Sequence, residues 1–370
     1  MNYTNLLIGL LSFFFIIQIY YYLRYFSAVS FHKIPEEKSS KKLPISVIIA
    51  ARNEANNLQQ FLDSILTQDY PNYEVIVVND CSYDNSEDIL KGFQARYPHL
   101  KVVELEEDDK YRHGKKFALT IGIKAAVNEH LLFTDADCMP VSKNWVSLMQ
   151  QGFSEGKEIV LGISPFIKTK SFLNAFSRFE TFFTALQYSS FALKKNTYMG
   201  VGRNLAYTKT LFFKGKGFAA HMHLQSGDDD LFVNQNATKE NVSVCLHPDS
   251  FVMTPSKETW SDYFRQKIRH LGIGKEYKKA HQISLSLISI SALCYYIVLA
   301  LSFVFQLPYI VSFGFLGARF LMLGLLYFYS MRKLGTRDLF LFYFIFDIIY
   351  LLVIPFWALI SFFTKEKKWK

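Results

Sequence analysis

Two carboxylates one residue apart, Asp135 and Asp137, close the stretch "HLLFTDADCMP", where an apolar run drives into a proline. Like charges this close raise each other's pKa and cost desolvation energy unless a cation or hydrogen-bond donors answer them. An isolated D-x-D is most simply a turn, because Asp is common where strands end. The chemical alternative is a divalent cation: hard carboxylate oxygens suit Mg²⁺ or Mn²⁺, which can bridge a diphosphate. A second acidic cluster, "SGDDDLF", sets Asp228, Asp229 and Asp230 in a row. Its plain reading is a solvated loop or a helix N-terminus, where acidic side chains suit the macrodipole.

The elements around these residues decide between the readings. "ISVIIAA" is a continuous β-branched run, and "LQQFLDSIL" follows with Leu58, Phe61, Leu62, Ile65 and Leu66 at helical spacing. "YEVIVVND", "LKVVEL" and "HLLFTDAD" read as strands, separated by helical "SEDILKGFQARY" and "KKFALTIGIKAAV". Short strands alternating with helices predict an α/β, doubly wound sheet with right-handed crossovers. Ligands in such sheets bind at the carboxyl ends of strands. The "ARNE" loop at Ala51 to Glu54, Asp80 and the Asp135–Asp137 pair all fall at such ends. No G-x-G-x-x-G follows the first strand, and no G-x-x-x-x-G-K-[ST] occurs, so the usual pyrophosphate loops are missing. A phosphate ligand would then be held through metal on carboxylates.

Half of the 370 residues are hydrophobic, and 36 of them are Phe. The apolar residues concentrate in Leu6 to Phe26, Ile283 to Tyr329 and Leu339 to Phe363, each with one charge: Arg24, Arg319 and Asp347. A membrane span needs roughly 20 mostly apolar residues, so these stretches predict one, two and one spans, with "QLPY" turning the middle pair. The N-terminal region "MNYTN" carries no Lys or Arg, and its apolar run exceeds a typical signal-peptide core, so it reads as a retained anchor.

The net charge of +9 is placed beside these segments rather than on a nucleic-acid face: Lys33, Lys38, Lys41 and Lys42, then Arg332, Lys333 and Arg337, then Lys365, Lys367, Lys368 and Lys370. That is the positive-inside and headgroup pattern, with no nucleic-acid partner. A span from Leu339 to Phe363 would carry the basic tail to the other side, which the same rule disfavours; Pro355 and Asp347 leave a re-entrant segment as the alternative. The four cysteines show no C-x-x-C spacing, and the three in the polar middle, Cys81, Cys138 and Cys245, read as free thiols facing a reducing cytosol. The predicted organisation is an anchor at 1–30, a charged linker at 31–42, a soluble domain at 43–281 and a membrane region at 282–370. Within it, Phe172, Phe176, Phe179, Phe182, Phe183 and Leu186 form an aromatic stripe, read as a helix lying on the headgroups in preference to a core helix.

Seven segments in order, "SVIIAARNEANNL", "VVNDCSYDNS", "GKKFALTIGI", "FTDADC", "GVGRNLAY", "SGDDDLF" and "RQKIRHLG", resemble family 2 glycosyltransferases, in the membrane-embedded branch with cellulose, hyaluronan and poly-N-acetylglucosamine synthases. The resemblance implies a GT-A fold and a nucleotide-sugar donor, usually a UDP-sugar. On matching positions it implies that Glu54, Asp80 and Lys115 lie by the donor, that Asp135 contacts ribose or metal, and that Asp137 is the direct metal ligand. The family pattern T-E-D-x-D-L, aligned on Asp230 and Leu231, puts Asp228 at the catalytic base and Gly227 where a glutamate usually stands, with Asp229 as the rival base. Gln266 and Arg269 match the Q-x-x-R-W motif, which implies that they reach the donor diphosphate or the acceptor site, while His270 replaces the tryptophan that helps to hold the acceptor. Gly202, Asn204 and His270 are the implied acceptor positions.

The reading implied is an inverting, metal-dependent enzyme in the bacterial cytoplasmic membrane with its site facing the cytosol. It would add one sugar to a lipid-linked or other membrane-associated glycan acceptor. A processive β-polysaccharide synthase is the alternative, and an inactive scaffold subunit of a polysaccharide-assembly complex is the reading from another class.

Overall fold

The computed structural model describes residues 3–34, 42–107, 114–154, 156–224 and 226–363. The linker basics Lys38 and Lys41 and the tail lysines lie outside the described residues. Along the chain run α1 (Tyr3–Ser30), β1 (Ile45–Ala51), α2 (Ala55–Leu66), β2 (Tyr73–Asp80), α3 (Ser86–Gln94), β3 (Leu100–Leu105), α4 (Lys115–Ala125) and β4 (His130–Phe133). Then come β5 (Met139–Pro140), α5 (Trp145–Gln150), β6 (Ile159–Leu161), α6 (Phe172–Leu193), β7 (Leu205–Thr208), α7 (Lys209–Lys214), α8 (Asp230–Asn236), β8 (Val242–Val244) and β9 (Val252–Met253). α9 (Trp260–Leu271), α10 (Lys279–Val304), α11 (Tyr309–Lys333) and α12 (Tyr343–Phe363) complete the order.

The chain divides into two compact units. One takes residues 34–169 and 195–257, and the other takes the N-terminal helix, Lys170–Lys194 and the chain from Glu258 onward.

The first unit is built on a seven-stranded sheet in the order β3-β2-β1-β4-β7-β6-β8. β1 pairs in parallel with β2 and β4, with Ala51 opposite Asn79 and Ile48 opposite Phe133. All seven residues of β1 are buried, which is what a central strand covered on both faces requires. α2 buries Leu58, Phe61, Leu62, Ile65 and Leu66, the apolar stripe of its sequence. α4 comes so close to the sheet at Gly122 that an added Cβ would stand 2.7 Å from the Ile48 side chain. β7 runs antiparallel between β4 and β6, closing the sheet in a way that periodicity does not disclose. The parallel strands β1, β2 and β4 therefore deliver their carboxyl ends to one edge.

The second unit is helical. α1, α10 and α11, and the stretch Arg337–Trp357 that enters α12, are long and apolar enough to cross a membrane. α10 and α11 are separated by the "QLPY" stretch, and α12 runs as a continuous helix through Pro355. A charge from the middle of α11 and one from α12 find each other: Arg319 Nη2 donates to Asp347 Oδ2 at 2.8 Å with both side chains buried, and Tyr296 Oη donates to the same oxygen at 3.1 Å. A charge inside an apolar bundle is tolerated when it is paired in this way.

α6 corrects the expectation of a headgroup-lying helix. Phe176, Phe179, Phe182, Phe183 and Leu186 are buried, and so are Asn174, Ser177, Arg178 and Glu180 on other faces. Phe172 at its start is exposed, but beyond it the helix is buried on every face, as a core helix of its unit is, and the rest of the aromatic stripe serves packing. Its polar residues are answered internally, since Arg178 makes a two-pronged pair with Asp338 at 2.8 and 2.7 Å.

Candidate active site

The loops after β1 and β2 are braced against each other. Asn53 N–H donates to Ser82 Oγ at 2.9 Å, Tyr83 N–H to Asn53 Oδ1 at 2.8 Å, and Ala55 N–H, opening α2, to Asp84 Oδ2 at 2.9 Å. Asn53 and Cys81 both sit at positive φ, 54° and 51°, a conformation that non-glycine residues hold only where surroundings fix it. Arg52 stands 3.8 Å from the wholly buried Asp80, and Glu54 accepts from Asn57 Nδ2. Glu54 and Asp80 are thus neighbours at the edge that also carries Asp135. Arg52 and Asp84 went unassigned by sequence reasoning. Arg52 lay within the noted "ARNE" loop, whereas nothing in the spacing marked Asp84 as the α2 cap.

At the end of β4, Asp135, Asp137 and Cys138 each offer one ligand atom, all within 4.8 Å of one another. Burial first, and then the charges of Asp135 and Asp137, push the Cys138 thiol well up, so it stays protonated and its Sγ–H faces Asp137 Oδ1 at 3.4 Å. Two hard carboxylates remain as the donor set. That set fits a hard divalent cation that keeps other positions for water or phosphate oxygens.

Lys115, the first residue of α4, links this pair to the second acidic cluster. Its Nζ lies 2.8 Å from Asp135 Oδ1 and 3.1 Å from Asp228 Oδ2. The three residues line one cleft with Phe133, Gly202 and Tyr207. Burial works to raise the Asp228 carboxyl, but the Lys115 charge and hydrogen bond override it and hold Asp228 below its usual value. Burial, followed by the charge of Asp228, raises Asp229.

Asp228 and Asp229 are not equivalent in their bonding. Asp229 caps α8 by accepting from Asp230 N–H at 2.8 Å, and its other oxygen accepts from Gly202 N–H at 2.7 Å. Both of its oxygens serve the backbone, and the helix-terminus reading of the cluster holds for this residue. Asp228 instead meets the side chain of Lys115 at the cleft.

Two of the acceptor-side positions, Gly202 and Asn204, are engaged within the protein itself. Asn204 is wholly buried, accepting from Trp145 Nε1 at 3.0 Å and donating to the Ile163 and Ser250 carbonyls at 2.9 and 2.8 Å. Both of its amide N–H donors are consumed in bracing the segment before β7. Gly202 lines the cleft, but its N–H is committed to Asp229, and a Cβ there would stand 3.2 Å from that carboxylate. Its role is to admit Asp229.

Gln266, Arg269 and His270 all ride α9 in the helical unit; Gln266 is half-buried, and Arg269 and His270 are exposed. α9 is held by Glu180 of α6, which accepts from Tyr263 Oη at 2.6 Å and pairs with Lys267 at 2.8 Å. Burial first, and then the Glu180 charge, push the Tyr263 phenol far up, so it remains a donor. Lys267 is thus turned into its own unit, while Arg269 of the same helix is exposed.

Residues 46–215 match the model "Glycosyl transferase family 2". A stretch of 98 residues is 38% identical to a glycosyltransferase, AglE, of Haloferax volcanii, covering 26% of this chain and 31% of that one. A stretch of 93 residues is 39% identical to the poly-beta-1,6-N-acetyl-D-glucosamine synthase of Staphylococcus epidermidis, covering 25% of this chain and 21% of that one. The matches thus span a third or less of the length of these curated relatives. Among solved structures, the mannosyltransferase PcManGT of Pyrobaculum calidifontis, in complex with GDP-Man and Mn²⁺, superposes with a TM-score of 0.58 at 18% identity, covering 95% of this chain and 99% of that one. That likeness shows the fold.

Proposed function

We propose, from the premise that this chain carries a family 2 glycosyltransferase domain on a GT-A fold, that it is an inverting, metal-dependent enzyme moving a sugar from a nucleotide-sugar to a membrane-associated acceptor hydroxyl. One observation carries the reading: Lys115 joins a carboxylate of the D-x-D to Asp228 within a single cleft. A group that departs as a diphosphate and a hydroxyl that loses a proton need opposite electrostatics close together, and this arrangement supplies both.

Asp135 and Asp137 would hold Mg²⁺ or Mn²⁺, which supplies positive charge for the departing diphosphate. Glu54 and Asp80 serve the nucleotide, with Arg52 neutralising Asp80. Lys115 offers a cation toward the diphosphate side. Asp228, ionised beside Lys115, takes the proton from the acceptor hydroxyl as its oxygen attacks the anomeric carbon. The new carbon–oxygen bond forms as the bond to the diphosphate breaks, and its electron pair leaves with the phosphate oxygen. Attack from the face opposite the leaving group inverts the centre, so an α-linked donor yields a β-linkage. Asp229 holds the start of α8 and Gly202 in register. Gln266 and Arg269 remain proposed for the diphosphate side and His270 for the acceptor side.

Four apolar helices of spanning length support a membrane location, and the basic residues flanking them support a cytosolic active site in a bacterial inner membrane. A lipid-linked or glycan acceptor follows from that location, and His270 in place of tryptophan favours a single addition over a processive polymer.

The test is turnover. Membranes containing the protein are assayed with a panel of UDP- and GDP-sugars, with Mn²⁺ and with a chelator. Metal-dependent consumption of one donor supports the reading. No consumption of any donor, with the protein folded and inserted, would favour the scaffold role.

A further inference from the structure

α4 opens with two consecutive lysines that part company. One hundred degrees of helical rotation separates neighbours on a helix, and here it sends Lys115 to the carboxylates and Lys116 elsewhere. Lys116 is buried, and its Nζ donates to the His221 carbonyl at 2.6 Å and the Leu224 carbonyl at 3.1 Å. Those carbonyls belong to the segment immediately upstream of Asp228. The His221 ring is itself buried, and burial first, then the Lys116 charge, lowers its pKa to about 4, so it is uncharged at neutral pH and does not compete with the ammonium.

A buried ammonium is expensive unless several acceptors meet it. Lys116 meets two main-chain acceptors on a stretch that has only short helical pieces of its own: the 3₁₀ turn Ala219–His221 and, after Gly227 at φ 94°, the start of α8. The ammonium thus adds to the few backbone bonds of this stretch, where the His221 carbonyl also accepts from Leu224 N–H at 3.1 Å.

We propose that Lys116 is a positioning residue for sugar transfer, a clamp that fixes the main chain of residues 219–224 and thereby sets the height of Asp228 in the cleft. The proposal rests on Asp228 being the base. α4 acts as a two-handed brace: Lys115 grips the carboxylate side chain, and Lys116 grips the backbone that carries it. Nothing in the charge pattern of "GKKFAL" tells the two lysines apart.

The experiment uses full-length protein in detergent or nanodiscs with Lys116→Met, which keeps the chain length and removes the donor. Hydrogen–deuterium exchange over residues 219–231 should accelerate. With the donor sugar selected by the turnover panel, kcat should fall about 10- to 100-fold, the scale of a small misplacement of a catalytic group. KM for the donor and the affinity for UDP with Mn²⁺ should stay within about threefold, and Lys116→Arg should recover part of the rate. Where the methionine variant does not fold, Lys116→Gln, with a shorter neutral donor, should show the same pattern at smaller size. Unchanged exchange would overturn the clamp. Faster exchange with wild-type kcat would overturn the positioning role. Asp228→Asn run alongside separates the premise: full transfer by that variant refutes the base, while its loss together with normal Lys116→Met turnover refutes only the positioning role.

Discussion

Lys115 stands 3.1 Å from Asp228, and the same ammonium stands 2.8 Å from Asp135. Two acidic clusters almost a hundred positions apart in the chain are thereby held as one charged unit. Removing this lysine would take away the cation that touches both clusters, across a cleft in which the Asp228 side chain is only 10% exposed.

The first prediction follows from that charge. Lys115 holds the Asp228 carboxyl below its usual value against the effect of burial, so the base is ionised well into the acidic range. In Lys115→Gln the cation is gone, the carboxyl rises, and a higher pH is needed to ionise it. The acidic limb of the kcat/KM profile should move to higher pH, alongside a lower plateau. A limb that stays in place would mean that Asp228 does not set it.

Asp137→Asn keeps the size of a D-x-D ligand while removing its charge. Metal-dependent turnover should collapse, with the protein still folded and membrane-inserted. Near-normal turnover that still requires metal would assign the ion to other residues.

Asp229→Asn probes the second carboxylate. The amide nitrogen would face either Gly202 N–H or Asp230 N–H, donor to donor, and a buried donor left unmatched costs about 1–3 kcal/mol. The melting temperature should drop, while kcat of the folded fraction stays within tenfold of wild type. A large loss of kcat at unchanged stability would transfer the role of base to Asp229.

The sheet was legible because its signals are local. "ISVIIAA" has no polar residue except Ser46 and must be covered on both faces, while the stripe from Leu58 to Leu66 has one helical period. The strand-end rule then located Glu54, Asp80 and Asp135 without any knowledge of the topology. The antiparallel β7 escaped because a four-residue strand carries too little pattern to give its direction. The burial of Asn204 was not legible, because a buried amide and an exposed one look alike in sequence, and its partners Trp145, Ile163 and Ser250 are distant along the chain. The aromatic face of α6 was visible, but its burial depends on neighbours far along the chain, such as Asp338 for Arg178. Arg319 and Asp347 were each visible as the single charge of an apolar run, and their pairing required the helices to be assembled.

That pair gives a prediction for the helical unit. Arg319→Met leaves Asp347 buried without its cation, and breaking a buried pair from one side costs about 3–5 kcal/mol. Arg319→Met combined with Asp347→Asn should be closer to wild type than the single variant, because no bare charge remains. Thermal unfolding in detergent measures both. A double variant less stable than the single one would show that the charge on Asp347 is not what the arginine answers.

The central claim is that Asp228 takes the acceptor's proton while the metal and donor are held by other residues. Asp228→Asn keeps the side chain's shape and abolishes its basicity. The decisive measurement sets its kcat for transfer beside its affinity for UDP with Mn²⁺. Transfer should fall by about 10²-fold or more, the scale of a general base, with nucleotide affinity within about threefold of wild type. Transfer at the wild-type rate, or a loss of UDP binding as large as the loss of transfer, would contradict it.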